Sequence, residues 1–328
     1  MSVTVKLLGF LAALTVVFAS AVGIGRAVGP VELSAAGHGD MDEVTQDEVD
    51  GTDGVAGMED MDMPGTSDIP KGLMVSQDGF TFRLESTKTS PGRGVPVSFT
   101  IEGPDGEPVT AYDVEHEQDL HLIAVRRDFT GFQHVHPEMD PDGTWSTDLD
   151  LTPGAWRLFA DFKATGAEAL TLGNDFAVPG RFDPAEASTA DSTTATVDDY
   201  TVTLEGDLEA GAEAELTLTV TRDGESVTDL EPYLGAYGHL VALRAGDLAY
   251  LHVHPEGSPD DGKTQPGPEV VFFAQVPSPD RYHLFLDFRH EGVVRTAAFT
   301  LEGSADTIAA EDDSDEQSTG GHDDDDAH

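Results

Sequence analysis

Apolar and polar residues first alternate at FTFRLE, from Phe80 to Glu85. The alternation recurs in PVSFTI, LHLIAV, FQHVH, TWSTDLD, AWRLFADF and DFAV, which are separated by PGRG, GPDGEP and PDG. Successive strand side chains face opposite ways, so period-two patterning punctuated by turn residues predicts an antiparallel β-sandwich, and no stretch in this region carries a helical period. The pattern restarts at Tyr200 and continues through YTVTLE, AELTLTV, HLVALR, YLHVHPE, VVFFAQV, YHLFLDF and AAFTL to Leu301. The predicted fold class is all-β: two tandem immunoglobulin-like antiparallel sandwiches, residues 73–179 and 198–302. Between them, residues 180–197 form a Ser/Thr/Ala/Asp linker, and residues 303–328 form a disordered acidic tail.

The two β regions repeat one another. Leu120 to Glu138, LHLIAVRRDFTGFQHVHPE, overlays Gly238 to Glu256, GHLVALRAGDLAYLHVHPE, without a gap and with nine of nineteen positions identical. Downstream, AWRLFADFKATG matches RYHLFLDFRHEG, so the pattern is an internal duplication. The copies share His121/His239, His134/His252, His136/His254, Arg126/Arg244, Asp161/Asp287 and the Pro-Glu pair after each HVH.

Ahead of the sandwiches, residues 1–26 hold an uncharged apolar run from Leu7 to Gly25 between Lys6 and Arg26. At about 19 residues it suits either a removed signal peptide or an uncleaved transmembrane anchor. Both place the rest outside the cytoplasm, at the cell membrane with extracytoplasmic domains or secreted. Residues 27–72 are Gly, Asp, Glu, Ser and Thr with scattered His and Met and almost no aromatics, a disordered tether. There is no cysteine, which excludes disulfides, thiolate metal sites and cysteine nucleophiles. The formal net charge of −46 opposes nucleic acid and anionic membrane surfaces and favours cations, although solubility alone would explain it.

The repeated histidines carry the candidate chemistry. His134 and His136 lie two apart on a strand and so share a face. If the preceding strand folds back with Val125 opposite Phe132, position 123 faces 134 and 121 faces 136, bringing His121 to the same pair. Applied to the second copy, the same construction groups His239, His252 and His254. The expectation is two equivalent three-His metal sites, one per domain. Imidazole suits Cu, Zn, Ni and Fe, and affinity peaks at Cu(II), so copper is expected first and zinc second. Three imidazoles leave a fourth position open, for which Asp161 and Asp287 are auxiliary candidates, as ligands or as partners of an imidazole N–H.

In the tether, His38, Met41, Met58, Met61 and Met63 sit among carboxylates with no core to fill, a mixture that suits copper or simply reflects a biased linker. His283, His290 and His116 have no counterpart in the other copy; the first two are read as surface residues.

No nucleophile elbow, zincin, P-loop or dinucleotide fingerprint is present, and Glu138 and Glu256 are the only candidate general bases beside the histidines. A non-enzymatic protein is expected. Its partners would be a metal ion and a copper-transport or other membrane protein, not nucleic acid. The competing reading is a cell-surface structural or interaction module whose histidines are hydrogen-bonded structural groups.

EPYLGAYGHLVALRAGDLAYLHVHPE, followed by PGPEVVFFAQVPSPDRYHLFLDFRHEGVVRTAAFTL, resembles actinobacterial secreted or membrane-anchored proteins associated with heavy metals, copper among them. The resemblance covers both β domains and extends to the leader with its His/Met linker, and it implies an extracytoplasmic role near copper handling. The sandwich is also similar in kind to YtkA-like and CopC-like domains. CopC-like proteins bind Cu(II) through a histidine at the mature N-terminus, whereas the first histidine here is His38, far from the leader.

Overall fold

The computed structural model describes residues 69–185, 190–259 and 261–305. The leader, the tether positions His38, Met41, Met58, Met61 and Met63, and the tail beyond residue 305 lie outside them. Among the described residues the regular elements are strands. The first domain contains β1 (Ser76–Gln77), β2 (Phe80–Leu84), β3 (Gly92–Glu102), β4 (Leu120–Arg126), β5 (Gln133–Val135), β6 (Glu138–Met139), β7 (Thr144–Leu151), β8 (Gly154–Phe162) and β9 (Leu170–Val178). The second contains β10 (Thr194–Val197), β11 (Tyr200–Glu205), β12 (Leu208–Glu209), β13 (Glu213–Arg222), β14 (Glu225–Ser226), β15 (His239–Arg244), β16 (Val253–Pro255), β17 (Glu269–Gln275), β18 (Arg281–His290) and β19 (Val293–Ser304).

Each domain is a pair of sheets. In the first, the order β1-β2-β3-β7-β6 faces β5-β4-β8-β9; in the second, β10-β11-β13-β17-β16 faces β12-β19-β18-β15. The alternating strands explain each core: Phe80, Phe82 and Leu84 of β2 point inward while Thr81 and Arg83 point out, and Leu216, Leu218 and Val220 of β13 do the same. The all-β, two-copy architecture therefore agrees with the periodicity. Two boundaries differ from the composition reading. Thr194–Val197, inside the expected linker, pairs with β11, and Lys71, inside the expected tether, bridges to Tyr250.

β4 does not alternate: every residue from Leu120 to Val125 is buried. Such a strand is covered on both faces. Leu120, Leu122 and Ala124 enter the first domain's own core, whereas Ile123 and Val125 join Phe159, Val241, Leu243, Leu248 and Phe285 in a third apolar cluster between the domains. The outer faces of the β4/β8 and β15/β18 sheets thus pack on each other. Phe132 stacks on Phe285 at 4.1 Å and Phe129 on His283 at 3.8 Å across this junction.

The segment around Gly72 ties the two together. Its carbonyl accepts from the buried Arg157 guanidinium, Gly72 N donates to Thr171 O, and Tyr250 N donates to Lys71 O.

Two histidines read as surface residues are not. His283 lies in the junction, and His290 is 7% exposed. The Tyr200 hydroxyl lies 2.6 Å from His290 Nδ1, whose Nε2 donates to Asp229, while the guanidinium groups of Arg222 and Arg295 flank the Tyr200 ring. Tyr200→Phe strands a buried ring nitrogen, with an expected loss of about 1–3 kcal/mol. Urea denaturation of the variant checks this, and an unchanged midpoint would refute it.

Candidate metal centre

The hairpin β4–β5 adopts the register that the histidine spacing requires, with Ile123 opposite His134 and Leu122 opposite Val135. Its turn is tight: Gly131 has φ +67°, and a Cβ there would meet the Trp156 ring at 2.7 Å, so glycine is needed on both counts. His121 consequently faces the HVH pair. One candidate ligand atom from each of His121, His134 and His136 falls within 4.8 Å of the others, the one such group among the described residues.

The hydrogen bonds assign the tautomers. His121 Nε2 lies 3.1 Å from the Glu115 carbonyl, which can only accept, so Nε2 carries the proton. His134 Nδ1 lies 2.9 Å from a carboxylate oxygen of Asp287, contributed by the second domain, so there Nδ1 carries the proton. The remaining nitrogens, His121 Nδ1 and His134 Nε2, face each other at 3.1 Å. In the neutral rings both are lone pairs, and two lone pairs at that separation need a cation between them. Adjacent ligands on a tetrahedral ion with bonds of about 2.0–2.1 Å stand about 3.3 Å apart. His136 Nε2 is buried with no hydrogen-bond partner, a third donor without a proton-based explanation.

Electrostatics keeps His121, His136 and His239 neutral. Burial, reinforced by the neighbouring His134, pushes His121 down to about 4. Burial followed by His134 and His121 takes His136 to about 4, and burial holds His239 well below its ordinary value. Neutral imidazole is the ligating form.

Asp161 and Asp287 occupy equivalent places. Each is the cross-strand partner of the first histidine of its copy of the repeated motif, His121 or His239, and each accepts from a threonine, Thr171 or Thr296. Asp287 also orients His134, a histidine of the other domain rather than of its own. Asp161 instead borders a cavity of about 110 Å³ that also touches Lys71, His116, His239 and His252.

The second three-His set does not assemble, which corrects the expectation of two equivalent sites. Its hairpin starts in the same register, with Leu243 opposite Tyr250, but the chain then crosses to the other sheet. Val253–Pro255 pairs with β17, whereas β5 stays on β4 and the first domain joins β7 only at Glu138. His254 thereby lies against Phe273, 3.5 Å from Glu213, and His252 Nδ1 meets the Lys71 ammonium at 3.3 Å. His239 turns toward the first domain's cluster, its ring centre 4.8 Å from that of His134 and 5.8 Å from that of His121. A duplicated motif thus yields one histidine cluster, at the junction of its two copies.

No curated protein matches the chain. Among solved structures it is similar to the Escherichia coli adhesin FdeC, at 11% identity over 70% of this chain and 65% of that one with a TM-score of 0.23. It is also similar to the D0-D1 domain of intimin, at 12% identity over 68% and 96% of the two chains with a TM-score of 0.20. A third is a putative membrane anchored protein from Corynebacterium diphtheriae, at 12% identity over 70% and 59% with a TM-score of 0.21. The chain thus spans less than two thirds of FdeC and of the Yersinia pseudotuberculosis adhesin InvE, of which it covers 60%. One family model, described as a domain of unknown function (DUF8832), matches twice, over residues 75–177 and 195–305. The two sandwiches are two copies of that domain, and the chain belongs to the DUF8832 family.

Proposed function

We propose that this is an extracytoplasmic binding protein for one divalent transition-metal ion, copper(II) first and zinc(II) second. The ion is held by His121, His134 and His136, and the protein sequesters or delivers it rather than transforming a substrate. The observation that carries this reading is the pair of facing nitrogens, His121 Nδ1 and His134 Nε2, at 3.1 Å, each on a ring whose other nitrogen is committed as a donor. The buried, partnerless His136 Nε2 supports it. The leader at residues 1–26, and the resemblance to actinobacterial proteins of heavy-metal handling, support a place outside the cytoplasm.

One observation favours a second reading. A proton between the two rings would make His134 an imidazolium paired with Asp287, both side chains being almost fully buried, and the cluster would then be a structural element of a surface module. It leaves His136 unexplained.

The two readings separate on metal content. The full chain is loaded with Cu(II) and, separately, Zn(II), dialysed, and compared with His134→Ala/His136→Ala by mass spectrometry. Tether and tail contribute equally to both proteins, so the expected difference is about one ion per chain. Equal metal content in the two proteins would leave the structural reading.

A further inference from the structure

Three imidazoles from one domain leave a coordination position open, and the side chains around it differ in what they are already doing. Asp287 is engaged by His134 and Thr296, and Asp161 by Thr171. His252 is held at Lys71, and His116 is exposed. His239 is different. It opens β15 of the second domain and sits directly across from Asp287 in β18. Its ring stacks within 8° of parallel with His121 and lies closer to His134 than to any other histidine it touches. Among the described residues no hydrogen bond holds either of its ring nitrogens, and these lie outside the 4.8 Å group of His121, His134 and His136, so joining that group requires the unheld ring to turn.

Resting on the three-His reading, we infer that His239 supplies the fourth nitrogen to the ion, so that the ion bridges the two domains. Three ligands then come from the first domain. One ligand and the carboxylate that orients His134 come from the second. A set of four imidazoles suits Cu(II) and Zn(II) and disfavours Mg(II) and Ca(II), which take oxygen. The bridge also makes ion binding and domain docking reciprocal. An ion bound across the junction stabilises the docked pair, and a loosened junction weakens the ion by the same factor. The arrangement explains why His239 was retained with the rest of the duplicated motif although its own HVH partner strand has moved to the other sheet.

The test uses the full chain and Zn(II), titrated against a chromophoric chelator, with His239→Ala, His239→Gln and His134→Ala. His252→Ala serves as a control that alters the same side-chain type in the same domain. Both His239 variants are expected to weaken zinc by about 5–150-fold, the usual span of coupling between linked elements, with His252→Ala unchanged. A second readout follows the bridge itself. Both tryptophans, Trp145 and Trp156, belong to the first domain, so their fluorescence follows that domain while far-UV circular dichroism follows both. Zinc should raise both denaturation midpoints together in the wild type, whereas in His239→Ala it should raise the fluorescence midpoint and leave the second domain's share of the circular dichroism transition where it was. Unchanged zinc affinity in both His239 variants, alongside a loss in His134→Ala, overturns the bridge and leaves the three-His site standing. No difference between wild type and His134→Ala overturns the site as well.

Discussion

Phe159→Ala is expected to lower stability by about 3–5 kcal/mol, the usual cost of truncating a fully buried phenylalanine. Phe159 is 0% exposed although it points away from its own domain's core. Its ring lies in the junction cluster with Ile123, Val125, Val241, Leu243 and Phe285, faces Tyr250 at 5.8 Å and is capped by the Arg157 guanidinium. It also fills the space over Gly72, where an added Cβ would meet the ring at 2.6 Å. Truncation therefore opens a void where two sheets and the N-terminal strap meet, and none of the three can collapse into it without parting from the others. The expected signature is a lower midpoint together with two resolved unfolding transitions, fluorescence preceding or following circular dichroism as the domains uncouple. On a domain that did not dock, Phe159 would be a solvent-facing residue, and its removal would cost less than about 1 kcal/mol. Denaturation monitored by both signals decides between these.

The junction also marks where the sequence stops being legible. Strand periodicity in FTFRL and AELTLTV identifies one-sided strands, and the sandwich class follows from them because alternation and turn spacing are local properties. LIAV and LVAL, inside two strands grouped with the alternating ones, carry a further signal: a continuous apolar run fits a strand covered on both faces, and here the second cover is the other copy.

The first three-His set was readable because its hairpin has a short turn that fixes the register. The second set failed for a reason outside the motif. From Leu251 onward the chain faces a choice between β15 and β17, and the longer loop Gly257–Pro268 that replaces the first domain's turn at Asp140–Gly143 accompanies the earlier crossing to β17. An identical pentapeptide cannot encode that choice. Nor could spacing within one copy place Asp287 on His134, since the contact joins residues 153 apart. His290 was misread because its partner Tyr200 is equally remote, 90 residues away along the chain.

Acidifying the metal-free protein from pH 7 to pH 4.5 is expected to destabilise it by several kcal/mol, beginning at the junction. Burial is the first cause of depression for His121, His136, His239, His252 and His283, all of which lie in or beside that junction. His121 and His283 fall from 6.5 to about 4. The unfolded chain therefore binds protons first as the pH drops below 6.5, and stability complete above that value is lost progressively until the folded rings titrate near 4. For one group moved that far the limit is on the order of 3 kcal/mol. The histidines interact, so the losses do not simply add.

Carboxylates with lowered values act in a more acidic window. Asp128, held low by Arg126, Ala185 and Thr130 against its desolvation, contributes only as the pH falls through and below the ordinary carboxylate range. The carboxylates' share of the net charge also changes little above that range.

His283 isolates one share of the effect, because it stacks on Phe129 and approaches Thr300 but touches none of the three clustered histidines. His283→Phe should preserve an aromatic face while removing a titrating group. Its urea midpoint should fall less than that of the wild type between pH 7 and pH 4.5. Parallel pH profiles for the two proteins would mean that His283 is not buried against Phe129 in solution, and the docked junction itself would then be in question.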